Sequence, residues 1–263
     1  MAPRIATVGD NCMDVYDNLG KACPGGNPVN VAVYIVRMGG AASYTGIVGT
    51  DEYGEMMVDA IAAKGVDVSH VRTEKGATAL THVELVNGER IMGDYEEGVM
   101  ANFTLRPEDV DFLGSHEFVV SALWGNAQGY FGAIRARGAK IAYDAAVRPW
   151  DPAAQEALPN VDYLFYSVDG GDTPENRKQM IDLHAQGPSL VVATMGEQGS
   201  LAYDGEKFIR GDIVPCDVVD TMGAGDSYIA GFVKGLAEGK EISECMKMGA
   251  ECASVTIGYF GAW

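Results

Sequence analysis

The residues whose types and spacing say most about chemistry lie between Val218 and Ser227. Gly223 and Gly225 permit a tight turn and a close approach of the backbone to a ligand, and the apolar segment 227–236 that follows is typical of a helix. The glycines therefore precede a predicted helix N-terminus, where unpaired N–H groups and the helix dipole favour anions. A carboxylate in such a turn, Asp226, suits a base that accepts a proton from a hydroxyl attacking a phosphoryl group.

A simpler interpretation of this stretch is a glycine-rich turn between a strand and a helix, with Asp226 as the helix N-cap, since Asp is a favoured N-cap residue. A bare Gly-x-Gly-Asp does not distinguish the two. The longer string Asp-Thr-x-Gly-Ala-Gly-Asp is far more specific, so we favour the catalytic interpretation.

A second group of polar residues follows the first predicted strand. Asp14 lies close behind that strand, and the segment Gly26-Asn27-Pro28 with Asn30 comes twelve residues later. Asp and Asn side chains bind sugar hydroxyls through two atoms at once. A capped helix, with Asn27 as the cap and Pro28 at its first position, explains those two residues but leaves Asp14 and Asn30 unexplained.

Further candidates follow later predicted strands. Asp10 follows the first strand and Asp144 ends another, where a carboxylate serves equally as a site residue or as a helix cap. Thr194, Gly196 and Gly199 join a strand to a hairpin, and their spacing alone predicts no more than a glycine-rich loop.

Hydrophobic periodicity predicts the elements that position these residues. Strands are expected at 4–8, 42–48, 118–123, 140–143, 163–166 and 190–194, and helices at 28–38, 52–64, 128–137, 174–186, 226–238 and 241–257. Hairpins are expected at 78–93, with Asn87-Gly88 as the turn, and at 200–209. This alternation predicts an α/β fold with a mostly parallel sheet, helices on both faces and ligands at the carboxyl ends of the strands. We expect one domain over 1–263, with lid elements at approximately 10–25 and 77–98.

Composition narrows the class of protein. The chain has 263 residues, 47% of them hydrophobic and 21% charged, with a net charge of −18. That charge argues against nucleic acid or an anionic membrane as the main partner, and it means that a nucleotide triphosphate needs a local anion site and a divalent cation. Five cysteines and four histidines lack metal-ligand spacing. With no long apolar run and no leader, these features predict a cytoplasmic protein with reduced thiols.

The order of these motifs resembles that of the ribokinase-like (PfkB-type) carbohydrate kinases over nearly the whole chain. The resemblance implies ATP and Mg²⁺, a sugar acceptor, and a monovalent cation such as K⁺ in part of the family. Residue by residue, it implies Asp226 as catalytic base; Gly223, Ala224 and Gly225 as anion hole; Asp14, Gly26, Asn27 and Asn30 as sugar ligands; Thr194, Gly196 and Gly199 as nucleotide-site residues; and Asp220 with the Met222 carbonyl as a cation site.

One part of the family pattern is missing. Many members carry Asn-x-x-Glu after the strand at 163–166, where this chain reads Ser-Val-Asp-Gly-Gly-Asp over 167–172. Asp169 or Asp172 could replace the glutamate in organising magnesium, or the metal could rest on phosphates and water.

Within the family the chain most resembles the kinases of fructosamine-type sugars, through segments 9–14, 93–101 and 258–263 and Trp124-Gly125. The implied reaction is phosphorylation of fructoselysine to fructoselysine 6-phosphate. The segment 93–101 leaves the lid hairpin, so Tyr95 and Glu97 are expected to contact substrate. Its acidic side chains suit the ammonium group of a lysine, although they are also typical of a solvated loop.

Other functions fit parts of the sequence. The same chemistry could act on fructose, 2-keto-3-deoxygluconate, ribose or a nucleoside. A non-catalytic sugar or nucleotide sensor needs the anion site but not Asp226. A dinucleotide-dependent oxidoreductase is excluded, because no Gly-x-Gly-x-x-Gly turn follows the first strand. A homodimer paired through the lid strands is a further expectation from the family.

Overall fold

The computed structural model describes residues 4–86 and 89–263 as α/β structure. Its strands are β1 (Arg4–Val8), β2 (Cys12–Tyr16), β3 (Lys21–Gly25), β4 (Ala41–Gly49), β5 (Asp67–Glu74), β6 (Leu80–Val86), β7 (Glu89–Glu96), β8 (Phe118–Ala122), β9 (Lys140–Asp144), β10 (Tyr163–Ser167), β11 (Leu190–Thr194), β12 (Ser200–Tyr203) and β13 (Phe208–Gly211). Its α-helices are α1 (Asn27–Arg37), α2 (Glu52–Ala63), α3 (Pro107–Gly114), α4 (Phe131–Arg135), α5 (Pro152–Ala157), α6 (Pro174–His184), α7 (Ala224–Ala237) and α8 (Ile242–Thr256).

The large sheet has the strand order β13-β12-β11-β10-β9-β8-β1-β4-β5 among the described residues. The strands from β11 to β5 pair in parallel, and β12 and β13 add to one edge antiparallel. The carboxyl ends of β1, β8, β9, β10 and β11 therefore lie along one edge, where ligands of such sheets bind.

Helices cover both faces of this sheet, and its strands send alternate side chains to two hydrophobic clusters. Ile5 of β1 and Val120 of β8 pack with side chains of α1, α2, α7 and α8. Their neighbours Ala6 and Val119 pack on the other face with side chains of α3, α4, α5 and α6. Both faces of the sheet are therefore buried, and its carboxyl edge projects from between two hydrophobic clusters.

A smaller sheet, of order β3-β2-β6-β7, lies beside this edge. Strand β2 pairs antiparallel with β3 and parallel with β6, and β6 pairs antiparallel with β7. Both predicted lid segments contribute strands to it, so this region is a four-stranded sheet rather than a single hairpin. The predicted Asn87-Gly88 turn lies outside the described residues.

The expected parallel sheet and both hairpins are confirmed, with element ends shifted by a few residues. The prediction of one continuous helix at 128–137 was wrong: a 3₁₀ turn at Gln128–Tyr130 precedes the short helix α4. The segment 10–25 was predicted only as a lid element, without the strands β2 and β3, and β5, α3 and α5 were missed altogether. Strand β5 lies at the edge of the sheet and is half exposed, and the two helices are short, so all three carry weak periodicity.

Candidate active site

Two cavities meet at the carboxyl edge of the large sheet. The first, of about 620 Å³, is lined by Asp10, Asp14, Asn27, Asp144 and Asp226 among others, and we call it the central cavity. The second, of about 670 Å³, lies between the glycine loop 196–199 and helix α8, and we call it the outer cavity. Ser167, Thr194 and Gly225 line both, so the two cavities meet at the first turn of α7.

Asp226 lies in that first turn and is held by two asparagines of α1. Asn27 donates Nδ2 to one carboxylate oxygen at 2.7 Å, and Asn30 donates Nδ2 to the other at 2.6 Å. The two asparagines are three residues apart in a helix, a spacing that places them on the same face. Both oxygens of Asp226 are thereby oriented before any substrate binds.

The capping interpretations of Asp226 and Asn27 were wrong. The N-cap of α7 is Gly223, and Asp226 makes no capping hydrogen bond. The N-cap of α1 is Gly26, so Asn27 is the first helical residue and its side chain is free to bridge Asp226 and Asp144, the latter at 2.8 Å. Asp144 likewise caps no helix; its other oxygen accepts from the N–H of Ala146 at 2.8 Å.

Asp226, Asp144 and Asp10 form an acidic cluster at the bottom of the central cavity. Removal of the carboxylates from water raises the pKa of Asp226 to about 7 and the pKa values of Asp144 and Asp10 to about 6 each. Repulsion from Asp144 and Asp10 raises the pKa of Asp226 further, against the opposing effect of its hydrogen bonds to the asparagines. A pKa near 7 suits a general base at neutral pH.

Three buried carboxylate or amide oxygens beside this cluster have no hydrogen-bond partner among the described residues. They are Oδ1 of Asp10, Oδ1 of Asn11 and Oδ1 of Asn27, and all three residues line the central cavity. A buried acceptor without a partner is costly. Donors from a bound molecule, such as sugar hydroxyls, would remove that cost.

The turn before α7 requires glycine at one position and leaves open space at another. Gly223 has φ of +74°, and a Cβ there would lie 2.2 Å from the hydroxyl of Tyr34. A Cβ on Gly225 would meet nothing within 4 Å. Ala224 donates its N–H to the carbonyl of Thr221 at 3.2 Å, whereas the N–H groups of Gly225 and Asp226 have no backbone partner among the described residues. These two N–H groups lie beside open space suited to an anion.

The last residues of the chain complete the site, and their contacts were not predicted. Trp263 donates its indole N–H to Oδ1 of Asn30 at 2.7 Å, which fixes the amide so that its NH₂ faces Asp226. Tyr34 donates to the carbonyl of Ala262. The sequence segment 258–263 carried a resemblance, but nothing in its spacing indicated a contact with a residue more than 200 positions away.

The predicted sugar ligands are only partly together. Asp14 of β2 is buried, and Asp14, Gly26 and Tyr95 all line the central cavity. Glu97 does not line it: this side chain faces a third cavity of about 220 Å³, which we call the side cavity. Tyr95 and Trp124 line both the central and the side cavity.

The three residues predicted for the nucleotide site all line the outer cavity. Thr194 lines it together with Gly196 and Gly199, and its hydroxyl lies 2.7 Å from that of Ser167. Apolar side chains form much of its wall: Ile213, Val214, Pro215, Val218, Ala250, Ala253 and Ile257. A cavity with an apolar wall and a glycine turn at one end suits a flat apolar ring with an anionic tail.

The structure restricts where a metal could bind. No group of three or more His, Cys, Asp or Glu side chains in residues 4–86 and 89–263 is arranged as a metal site. Asp172, one proposed substitute for the missing glutamate, is instead bound at 2.5 and 2.8 Å by Arg177, which lowers its pKa. Asp169 does line the outer cavity.

The predicted cation-site residues are next to each other. One oxygen of Asp220 accepts the N–H of Met222 at 3.1 Å, and the other accepts the N–H of Gly261 at 2.8 Å. Asp220 therefore ties the glycine turn to the C-terminal segment. All five cysteines are free thiols, and within the described residues no helix is long and apolar enough to cross a membrane.

The sequence matches a family model and curated proteins over most of its length. The model of the pfkB family of carbohydrate kinases matches residues 18–263. Fructoselysine 6-kinase of Shigella flexneri is 45% identical, covering 98% of this chain and 99% of its own. Fructosamine kinase FrlD of Bacillus subtilis is 29% identical, and the match covers 99% of this chain and 93% of that protein.

Among solved structures, ribokinase of Arabidopsis thaliana, complexed with ribose and ATP, has a TM-score of 0.87 at 23% identity, covering 99% of this chain and 94% of its own. That likeness confirms the ribokinase-like fold, and the sequence matches confirm the resemblance inferred from the motifs. This chain belongs to the pfkB family of carbohydrate kinases.

Proposed function

We propose that this protein transfers the γ-phosphoryl group of ATP to the terminal hydroxyl of a fructosamine-type sugar, converting fructoselysine to fructoselysine 6-phosphate. The observation that carries this proposal is the setting of Asp226. Its carboxylate is oriented by Asn27 and Asn30, its pKa is raised to about 7, and it lies in the helix turn where the two cavities meet.

The central cavity is the sugar site in this proposal. The unpartnered oxygens of Asp10 and Asn27 accept sugar hydroxyls, together with Asp14 from the small sheet. Asp226 accepts the proton of the terminal hydroxyl as its oxygen attacks phosphorus. Asn30, with its amide occupied by Asp226 and Trp263, orients the base.

The outer cavity is the nucleotide site, with its apolar wall for the base and the Gly223–Gly225 turn for the phosphates. No Lys or Arg lines the central or outer cavity in the described part of the chain. The helix N-terminus is thus the protein's own source of positive potential at the phosphoryl group. Mg²⁺ bound to the ATP phosphates and water, with Asp169 nearby, would supply the remaining charge neutralisation.

The small sheet acts as the lid. Asp14, Thr81 and Tyr95 extend from it to line the sugar site. Closure of such a sheet over the sugar would exclude water and limit hydrolysis of ATP.

The choice of sugar comes from the relatives and from charge. The two curated relatives are named for fructoselysine and for fructosamines. Acidic residues line the central cavity on several sides, which disfavours an anionic sugar acid and favours a cationic amine substituent.

An ADP-release assay with purified protein, ATP and Mg²⁺ tests the proposal, comparing fructoselysine with fructose, ribose and 2-keto-3-deoxygluconate. We expect the highest kcat/KM for fructoselysine, with the phosphate on carbon 6 of the product by NMR. A preference for another sugar would keep the kinase chemistry and overturn the fructosamine assignment. Nucleotide binding without turnover on any sugar would favour a sensor.

A monovalent cation such as K⁺ at Asp220 and the Met222 carbonyl is part of the proposal. The family resemblance supports it, as does the place of Asp220 between the glycine turn and the C-terminal segment, where its oxygens accept the N–H groups of Met222 and Gly261. Activity that is equal in potassium and tetramethylammonium buffers would contradict this site.

We also propose a homodimer paired through the small sheet and a cytoplasmic location. The edge strands β3 and β7 are free to pair with a second copy, and free thiols suit a reducing compartment. Light scattering on the purified protein tests the dimer, and a monomeric mass would contradict it.

A further inference from the structure

The side cavity opens beside the sugar site and is built differently from it. It is formed by the end of the lid on one side, through Tyr95 and Glu97, and by the loops after β8 and β9 on the other. At about 220 Å³ it is smaller than the roughly 300–1,000 Å³ of a complete small-molecule site. It is sized for one end of a longer ligand whose remainder lies in the central cavity.

Two aromatic side chains join the side cavity to the central one. Tyr95 and Trp124 line both cavities and are about half exposed, at 47% and 52%. Neither makes a hydrogen bond to Asp226. A ligand with its reacting hydroxyl at Asp226 and its far end in the side cavity would have its middle part between these rings. An aliphatic segment suits that position.

The side cavity contains one free negative group. Asp151, its other acid, is occupied: it caps α5 through the N–H of Ala153 at 3.1 Å and pairs with Arg148 at 2.7 Å. The Glu97 carboxylate has neither a hydrogen bond nor an ion pair with the described residues, although it lines the cavity. It is thus the acid available to a cationic group.

The same cavity holds a fixed positive group. Asp151 binds one terminal nitrogen of Arg148. Because a guanidinium has five N–H donors in a planar fork, other N–H donors of Arg148 remain available to a carboxylate. Met100, Leu123 and Ala153 supply apolar wall between the charges. A cavity with one fixed cation, one free anion and an apolar wall is complementary to a zwitterionic amino-acid end on an aliphatic stem.

We propose that the side cavity binds the amino-acid end of the substrate, with Glu97 contacting the α-ammonium and Arg148 the α-carboxylate of the lysine part, while its methylene groups lie between Tyr95 and Trp124. This proposal rests on the proposed function. It makes the protein specific for a free amino acid conjugated to fructose and not for fructosamines in general. Glu97 follows the last strand of the lid, whereas Arg148 lies in the loop after β9 of the large sheet. A bound zwitterion that contacts both would therefore also hold the lid closed.

The test compares three substrates that differ in one charge each. Fructoselysine carries both charges, its Nα-acetyl derivative lacks the ammonium, and fructosylcadaverine lacks the carboxylate. We expect the wild-type kcat/KM for fructoselysine to exceed that for each analogue by about 10-fold or more, because each analogue leaves one charged hydrogen-bonding group unpaired.

Two variants assign the charges to residues. In Glu97→Gln the ratio of kcat/KM for fructoselysine over the acetyl derivative should fall to about 1, while the ratio over fructosylcadaverine is largely kept. In Arg148→Gln, by contrast, the ratio of kcat/KM for fructoselysine over fructosylcadaverine should fall. Glu96→Gln and Arg137→Gln are matched controls, because Glu96 pairs with His82 and Arg137 with Asp111, and neither lines the side cavity as described.

Unchanged ratios in both variants, or an equal loss on all three substrates, would overturn the assignment of the side cavity. A wild-type protein that phosphorylates all three substrates equally well would do so too. If the wild type phosphorylates none of the three but does phosphorylate another sugar, the fructosamine function itself is wrong. Thermal unfolding of each variant separates loss of recognition from loss of folding.

Discussion

The central and outer cavities are similar in size but are built from different groups. The central cavity is lined by polar side chains that hold one another, with Asn27 linking Asp144 to Asp226 and Asn30 linking Asp226 to Trp263. The outer cavity is lined mainly by glycine backbone and apolar side chains. A reacting hydroxyl has to be placed to within fractions of an ångström, whereas an apolar ring tolerates adjustment. Substitutions should therefore be far more damaging in the central cavity.

The largest effect is expected for Asp226→Asn. Without the carboxylate no group accepts the proton of the attacking hydroxyl, and kcat should fall by about 10²–10⁴-fold while ATP binding is largely kept. Steady-state kinetics and nucleotide titration measure the two quantities. More than about a tenth of wild-type turnover would remove Asp226 from the role of base. Asp182→Asn, at an exposed acid paired with Lys178, is the control.

The acidic cluster should set the pH dependence of the reaction. Asp226 is inactive when protonated, so kcat/KM should rise with pH and level off above its pKa of about 7. Asp144→Asn removes a neighbouring negative charge, lowers the pKa of Asp226 and should move this rise to lower pH by about one unit. The midpoint belongs to the cluster, because its members titrate together. An unmoved or upward midpoint would contradict the electrostatic account.

A smaller loss is expected for Trp263→Phe, which removes the indole N–H that orients Asn30. One hydrogen bond contributes about 0.5–1.5 kcal/mol, so kcat should fall about 2- to 12-fold, with KM for ATP unchanged. The pH midpoint should shift as well, because Asn30 lowers the pKa of Asp226. A change in stability alone, with kcat and midpoint unmoved, would show that Trp263 only packs. Trp150→Phe, at an exposed tryptophan, is the control.

The smallest effect is expected in the outer cavity. Val218→Ala removes two methyl groups from its apolar wall. Each buried CH₂ contributes about 0.8 kcal/mol, and Val218 is largely exposed, so KM for ATP should rise about two- to fourfold. The kinetics with the sugar should be unchanged. A larger effect on the sugar than on ATP would reverse the assignment of the two cavities.

Much of this fold could be predicted because its signals are local. Strands such as β1 and β11 are short apolar runs, and α1 and α8 have clear helical periodicity with glycines at their ends. Edge strand β5 and the short helices were missed because half-exposed or brief elements leave little pattern.

Some features of the candidate site could also be predicted from local sequence, and others could not. Asp226 is contiguous with the glycine turn, and Asn27 and Asn30 are one helical turn apart. The chain alone therefore indicates that the members of each group lie together. Their local geometry was harder: the sequence suggested Asn27 as a cap, because Asn is a good N-cap wherever its side chain has no better partner.

Residues close together along the chain were enough to predict the class of fold, the family and the proposed base with its glycine turn. The folded structure was needed to show that Asn27 bridges two acids 117 and 199 positions away, and that Trp263 donates to Asn30. It also brings Glu97 and Arg148 into the lining of one separate cavity. Such contacts depend on the order of strands in the large sheet and on the position of the small sheet beside it, which spacing along a chain does not encode.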